Sequence, residues 1–485
     1  MLSAARTSRS HPVLLPALAA ITLAAVPPVV VAADWTVAVG RTPARSSLSP
    51  EVGPRWDDLL WSGSRPGIVA QQGVAAGDLV VVNRITSFTI PTGTWIVGHD
   101  LYTGEERWAI QLPKEFEDSW RSRVTGIRDG QVYASRSGNT NAEYLYALDP
   151  EDGSILWRSE DLITESSTES VTFAPDGDII TSGEGVLLRI DRTDGTTVWA
   201  VPRSCPTSGG CDAVVFGDRA YIWEASPDGP KVTAIDIAAG MKLYSSDGIT
   251  PGWIQQIGLL VGPDGTIYAP RSMNNPATDY FVALEDTGTE FVEKWRVPMG
   301  YTPFASFAVG PDGTVYTYSR DQEIMRLDPE RGDILNTSQQ VFFESTASAR
   351  IAVDRFGRVY LTNGGFATGE LFVFNADLTP RWSTKITNVN VGGPILSESG
   401  IMVVCGVGTD VRAYWTPAPG DFDEDGYVDL ADHPYFVDCM AGPNTTPDPT
   451  APTTVEDCLT VFDADEDEDV DLEDFRWIAG LFDGA

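Results

Sequence analysis

One unit, returning every 41 to 51 residues along most of the chain, restricts the fold more than any other feature. It consists of an alternating strand with "VY", a short spacer, a second alternating strand ending in Asp, a glycine turn and then an aromatic residue. The clearest copy is "DGQVYASRSGNTNAEYLYALDPEDGSILW", residues 129–157; other copies end at Trp108, Trp199, Tyr244, Trp295, Asn336 and Trp382. Alternation suits strands packed between neighbours, and Asp-Gly or Thr-Gly supplies the positive φ of tight hairpins. The aromatic residue after Gly-x-x-x is large enough to fill space between adjacent units, a packing role. A period of this length, with four short antiparallel strands per unit, is that of a β-propeller blade.

Seven complete copies are followed by "GPILSESGIMVVCGVGTDVRAYW", which holds three strands and stops. The missing outer strand is available in "PRWDDLLWSG", around Trp61, so an eighth blade built from both chain ends would leave no open sheet edge. The period and the "LYALDPEDGSILW" motif resemble the quinoprotein-like, PQQ-repeat eight-bladed propellers. That family includes quinone-dependent alcohol dehydrogenases and non-catalytic outer-membrane assembly factors. The resemblance covers residues 34–416 and implies a fold rather than an activity.

The dehydrogenases of that family hold a quinone beside a vicinal disulfide, with calcium and a catalytic Asp. Here no two of the five cysteines are adjacent and no Cys-x-x-Cys-His haem motif occurs. No quinone is expected, no catalytic residue is carried over, and the enzyme reading is disfavoured. His99, in "WIVGHDLYTG", reads as a hydrogen-bonding residue that fixes a turn. The competing reading is a secreted hydrolase or lyase acting on polysaccharide, with carboxylates gathered at the propeller mouth.

Arg6 and Arg9 precede an apolar run over residues 13–31, with small side chains at Val31 and Ala33, the pattern of a secretory signal peptide over residues 1–33. Prolines interrupt the run and no second long apolar stretch follows, so a secreted, periplasmic or cell-surface location without membrane insertion is expected. In an exported chain, Cys205–Cys211 and Cys439–Cys458 are the local disulfide pairings, and Cys405 in "GIMVVCGVG" is a buried thiol. A net charge of −36 makes nucleic acid and anionic membrane poor partners. The charge is uneven: residues 421–485 hold 20 acidic side chains against one base, Arg476, so a second module begins there.

That module follows "TPAPG", with residues 417–420 as linker. In "DFDEDGYVDLAD", Asp421, Asp423, Asp425, Tyr427, Asp429 and Asp432 stand at positions 1, 3, 5, 7, 9 and 12 of an EF-type loop, with Gly426 at the turn position. Position 7 is the backbone-carbonyl ligand. A second copy, "DADEDEDVDLED", places Asp463, Asp465, Asp467, Asp469, Asp471 and Asp474 at the same positions. Val428 and Val470 share position 8 and are expected to pack inward. Hard oxygens without His or Cys select calcium at two sites, and folding of the module should depend on the ion.

The pair resembles a type I dockerin: two loop–helix calcium repeats with Asp at position 12 and no helix entering the loop. The architecture as a whole is therefore mainly β, an eight-bladed propeller with a small C-terminal α-helical, dockerin-like module over residues 421–485. Three departures stand out. Glu468 replaces the turn glycine of the second loop, which should weaken that site. Pro434 is expected to shorten or kink the first helix. Positions 10 and 11 are Leu430–Ala431 and Leu472–Glu473 rather than the small hydroxyl residues dockerins present to cohesins. A protein partner, cohesin-like or another surface protein, is implied, and residues 441–457 read as a flexible Pro/Thr stretch.

Overall fold

Short alternating strands pair as antiparallel meanders of four, as the repeat requires. The computed structural model describes residues 34–482 apart from 68–71, 86–92, 118, 120, 139–140, 166–168, 184, 205–211, 250–257, 272–274, 276, 301, 303–304, 342–347, 365–368, 387–391, 407–408, 418, 424–426 and 466. The signal segment, Cys205, Cys211 and Asp425 lie outside the described residues. The meanders span residues 74–110, 123–163, 172–202, 214–245, 260–298, 308–340 and 348–386. The second and third join into one sheet through the pair Gly183–Ile163; the others are separate four-stranded sheets. The arrangement is that of a β-propeller.

A last sheet is built from both chain ends, as expected. Strands Ile395–Leu396, Met402–Cys405 and Val411–Tyr414 receive Leu59–Ser62 on the outer side, in the register Leu59–Tyr414 and Trp61–Ala413. Cys405 is a buried free thiol whose ionisation burial pushes up to about 12.

The repeated aromatic residue does more than fill space. In five of the units the indole N–H donates to a backbone carbonyl of the next meander: Trp61 to Leu101 (2.7 Å), Trp108 to Pro150 (2.7 Å), Trp157 to Arg192 (3.0 Å), Trp199 to Ile237 (2.8 Å) and Trp295 to Pro329 (2.9 Å); the indole N–H of Trp382 is buried without such a partner. In those five the ring lies against the turn glycine of that neighbour. A Cβ on Gly104, Gly153, Gly195, Gly240 or Gly332 would meet the preceding tryptophan at 2.7 Å or less, and all five have positive φ. The repeat thus encodes a seat and its occupant one unit apart.

The sixth unit breaks the motif with Asn336, and the seat in the seventh changes with it. Where a glycine is due, four residues before Trp382, stands Leu378 at φ +67, buried to 2% exposure. The apolar volume has moved from the ring to the seat. Leu378→Gly should cost about 2 kcal/mol, loss of a buried leucine being partly offset by relief of the left-handed backbone. Asn336→Trp alone should cost about 1–3 kcal/mol by overpacking. The double variant should recover most of both losses, a coupling visible in a denaturant double-mutant cycle.

The larger surprise is the N-terminal segment. Residues 34–55 form no regular strand, yet they run across the inner edge of one meander after another. Trp35 exchanges hydrogen bonds with Ala75, and the carbonyls of Thr36, Pro43, Ala44, Ser46 and Ser47 accept from the amides of Ile127, Val215, Val261, Val309 and Val353 at 2.8–2.9 Å. Thr172 Oγ1 also donates to Pro43 O (3.2 Å), so all seven complete meanders are touched. Buried inner-edge amides need acceptors, and this strap supplies them. It is locked by Arg45, whose guanidinium binds Asp212 (2.7 Å), Ser170 O (2.9 Å) and Val39 O (3.0 Å) in full burial.

Candidate metal centre

The C-terminal module has three seven-residue helices: α1 (His433–Cys439), α2 (Val455–Val461) and α3 (Leu472–Ile478). Pro434 leaves α1 as long as the others. It sits in the first turn, where an amide has no intrahelical acceptor, so the expected shortening is absent. The stretch 441–457 is not loop throughout. Thr454 and Asp457 form a reciprocal capping box that starts α2, and α2 leads directly into the second acidic loop, against the expectation of no entering helix. The Cys439–Cys458 disulfide forms and ties α1 to α2.

The two loops fold alike. In the first, the position-12 carboxylate of Asp432 accepts from the amides of Phe422 (2.6 Å), Asp423 (3.3 Å) and Asp429 (2.8 Å). In the second, Asp474 accepts from Ala464 (2.7 Å), Asp465 (3.3 Å) and Asp471 (2.7 Å). Position 9 matches too: Asp429 accepts from Ala431 N and Asp471 from Glu473 N, both at 2.6 Å. Val428 and Val470 are buried, as position 8 requires, and Leu430 and Leu472 at position 10 are 78% and 71% exposed.

Asp421, Asp423 and Asp432 bring carboxylate oxygens within 4.8 Å of one another, and so do Asp463, Asp465 and Asp467. Asp469, Asp471 and Asp474 form a third such group. The second loop thus divides the residues expected around one ion into two groups, and Asp469 accepts from Asn444 N. Tyr427, at position 7 of the first loop, is exposed. Asp463 accepts from the amides of Asp467 (3.0 Å) and Glu468 (3.1 Å), the latter at φ +72, the conformation a glycine would take freely.

The donor set fits a hard dication. Asp421, Asp432, Asp463, Asp469 and Asp474 are buried, and Asp469 Oδ1 accepts no hydrogen bond. Partial desolvation and the negative neighbours Asp474, Asp467 and Asp463 push the Asp465 carboxyl up to about 6. Burial raises Asp474 as well. A bound cation would remove both penalties.

The module shares its core with the propeller. Val52 of the strap lies in one buried cluster with Val428, Phe436, Phe462, Val470 and Ile478, and Phe356 packs against it. Phe356 meets Trp477 edge to face at 5.0 Å, and Arg55 Nη1 donates to the carbonyl of Asp463 at 3.5 Å. Gly420, in the linker, takes φ +96 and approaches α3 so closely that a Cβ would lie 2.7 Å from Ile478.

His99 is the turn-fixing residue expected. It is buried, its Nδ1 lies 3.0 Å from Gly104 O and its Nε2 3.0 Å from Ser64 Oγ, and burial lowers its basicity. No helix among the described residues is long and apolar enough to cross a membrane.

Residues 56–249 match the family model described as outer membrane protein assembly factor BamB. No curated protein matches the chain. Among solved structures, the quinohemoprotein alcohol dehydrogenase from Comamonas testosteroni is similar at a TM-score of 0.55 and 13% identity, over 79% of this chain and 80% of that one. BamB from Moraxella catarrhalis gives 0.40 and 15% over 62% and 78%. A europium-containing methanol dehydrogenase gives 0.39 and 12% over 78% and 90%. The first of these likenesses carries the fold, a β-propeller, and no activity.

Proposed function

We propose that the chain is an exported, non-catalytic, eight-bladed propeller that acts as a binding or scaffolding platform and attaches to a partner through a calcium-dependent, dockerin-like module. The observation that carries the metal reading is the recurrence of the same hydrogen bonds at positions 2, 3, 9 and 11 of both loops, with lengths agreeing to 0.1 Å. An acid-rich tail has no reason to repeat them. Calcium would be held by the carboxylates of Asp421, Asp423, Asp425 and Asp432 in the first loop and of Asp463, Asp465, Asp467 and Asp474 in the second. The carbonyls at Tyr427 and Asp469 and the groups of Asp429 and Asp471 complete the sets.

The axis argues for binding over catalysis. The inner edges are covered by the strap, and of the buried carboxylates beside it, Asp212, Glu165 and Glu169, the first is paired with Arg45 and the second with Arg123. The match to a family described as an assembly factor points the same way. Nucleic acid and membrane insertion are not part of this reading.

Leu430 and Leu472, exposed at equivalent positions, are the apolar surface the two loops offer to a protein partner, although a cohesin would meet leucine where dockerins present small hydroxyl residues. An immobilised cohesin module is the probe. Retention in calcium, lost on chelation and in the Leu430→Asp/Leu472→Asp variant, supports docking. No retention, or retention indifferent to both changes, removes the cohesin partner.

A further inference from the structure

The short segment around Val52–Arg55 lies where every late element of the chain meets. Gly53 N donates to Asp354 Oδ2 (3.2 Å) of the seventh meander, and Arg55 O accepts from Arg381 of the same meander (3.4 Å). The Val52 carbonyl sits so near Gly400 of the closing sheet that a Cβ there would lie 2.0 Å away. Arg55 N donates to Thr416 Oγ1 (2.9 Å), just past the last strand. Four residues after Arg55 the chain enters Leu59–Ser62, the strand that completes the closing sheet. This is the seam at which the propeller is joined.

On that seam sits the module. Val52 is only 8% exposed because the module's apolar core covers it, Phe356 supplies an edge for Trp477, and Arg55 reaches the carbonyl of Asp463, position 1 of the second loop. Gly420 N donates to Val461 O (2.8 Å), which fastens the end of the linker to the module. The contacts come from the helix and loop that a metal ion would order, not from the exposed leucines at position 10. Docking to a separate protein and packing on the seam therefore use different surfaces.

We infer that the closing seam of the propeller is the module's partner within the same chain, and that metal binding in the second loop clamps the seam. The inference rests on the calcium reading above. An ion that organises the loop from Asp463 to Asp474 fixes α3 and the Asp463 carbonyl, and thereby the surface on which Val52, Arg55 and Phe356 rest. Whatever binds only the ordered module stabilises the elements packed on it by linkage. Opening at the seam, the join between the two ends of the chain, becomes harder when the loop is loaded.

The test is thermal unfolding of the full chain, followed by tryptophan fluorescence of the ring, in calcium and in chelator, with calcium binding measured alongside by calorimetry. The expected result is a single main transition whose midpoint rises by several degrees in calcium. In Trp477→Ala, a partly exposed change on the module side that leaves the loops intact, and in Val52→Ala, the rise should fall to less than half while calcium still binds. A ring midpoint unmoved by calcium, with binding intact, would overturn the clamp and leave the metal reading standing. Absence of calcium binding would overturn both.

Discussion

Arg45→Met should cost about 3–5 kcal/mol of stability at pH 8, the range expected when one member of a buried ion pair is removed and the other is left uncompensated. Arg45 and Asp212 are 3% and 4% exposed at the side chain, and the guanidinium also donates to Ala213 O (3.2 Å) and Ser170 Oγ (3.0 Å). The substitution thus releases the strap as well as the carboxylate. The loss should depend on pH in a definite direction. Burial, with Glu169 and Glu165 nearby, pushes Asp212 up to about 7 even against the opposing pull of Arg45. A carboxyl raised in the folded state adds stability at low pH, where the folded protein takes up the proton, and loses it as pH rises through the folded value. Without Arg45 that value rises further, so Asp212 enters the fold neutral at pH 5 and part of the penalty vanishes. Urea unfolding at pH 5 and pH 8 reads the difference. Equal losses at both values would mean that Asp212 is not the group left exposed to the change.

Much of the ring was legible because its repeat is a local code. A glycine turn and an aromatic residue returning every 41 to 51 residues gave the meanders, and Trp61 gave the closing strand. The seat that each tryptophan occupies was not legible, because it lies in the next unit, some forty residues on. The exchanges of Tyr244 with Phe291 and of Asn336 with Leu378 betray it, and each is a pair across units. The strap escaped for a different reason. "RTPARSSLSP" has neither alternation nor helical period, because its backbone bonds to four separate strand edges rather than to one partner. A sequence pattern reports side-chain faces, and here the carbonyls carry the structure.

In the module, both loops and the inward valines were readable from spacing alone, and the Cys439–Cys458 link followed from proximity. The entry of α2 could have been found from "TVED", whose Thr454 and Asp457 have capping-box spacing. The docking onto Val52 and Phe356 could not. Val52 belongs to no motif, Phe356 sits in a turn of the repeat whose pattern does not mark it, and the burial of both is decided by a surface formed far along the chain.

Calcium titration of the full chain by calorimetry, with Asp421→Ala, Asp463→Ala and Glu468→Gly beside it, tests the central claim most directly. The full chain is required because the module shares its core with Val52 and Phe356. The wild type should show two saturable sites, the second weaker because Glu468 holds φ +72. Asp421→Ala should remove one and Asp463→Ala the other, each weakening its site by about 100-fold or more as a charged ligand is lost. Glu468→Gly should tighten the second site about fivefold, the equivalent of about 1 kcal/mol of backbone strain. Two sites assigned in this way would establish the C-terminal module as a calcium-loaded unit. Weak binding that scales with ionic strength and is indifferent to all three substitutions would reduce it to an acidic surface patch.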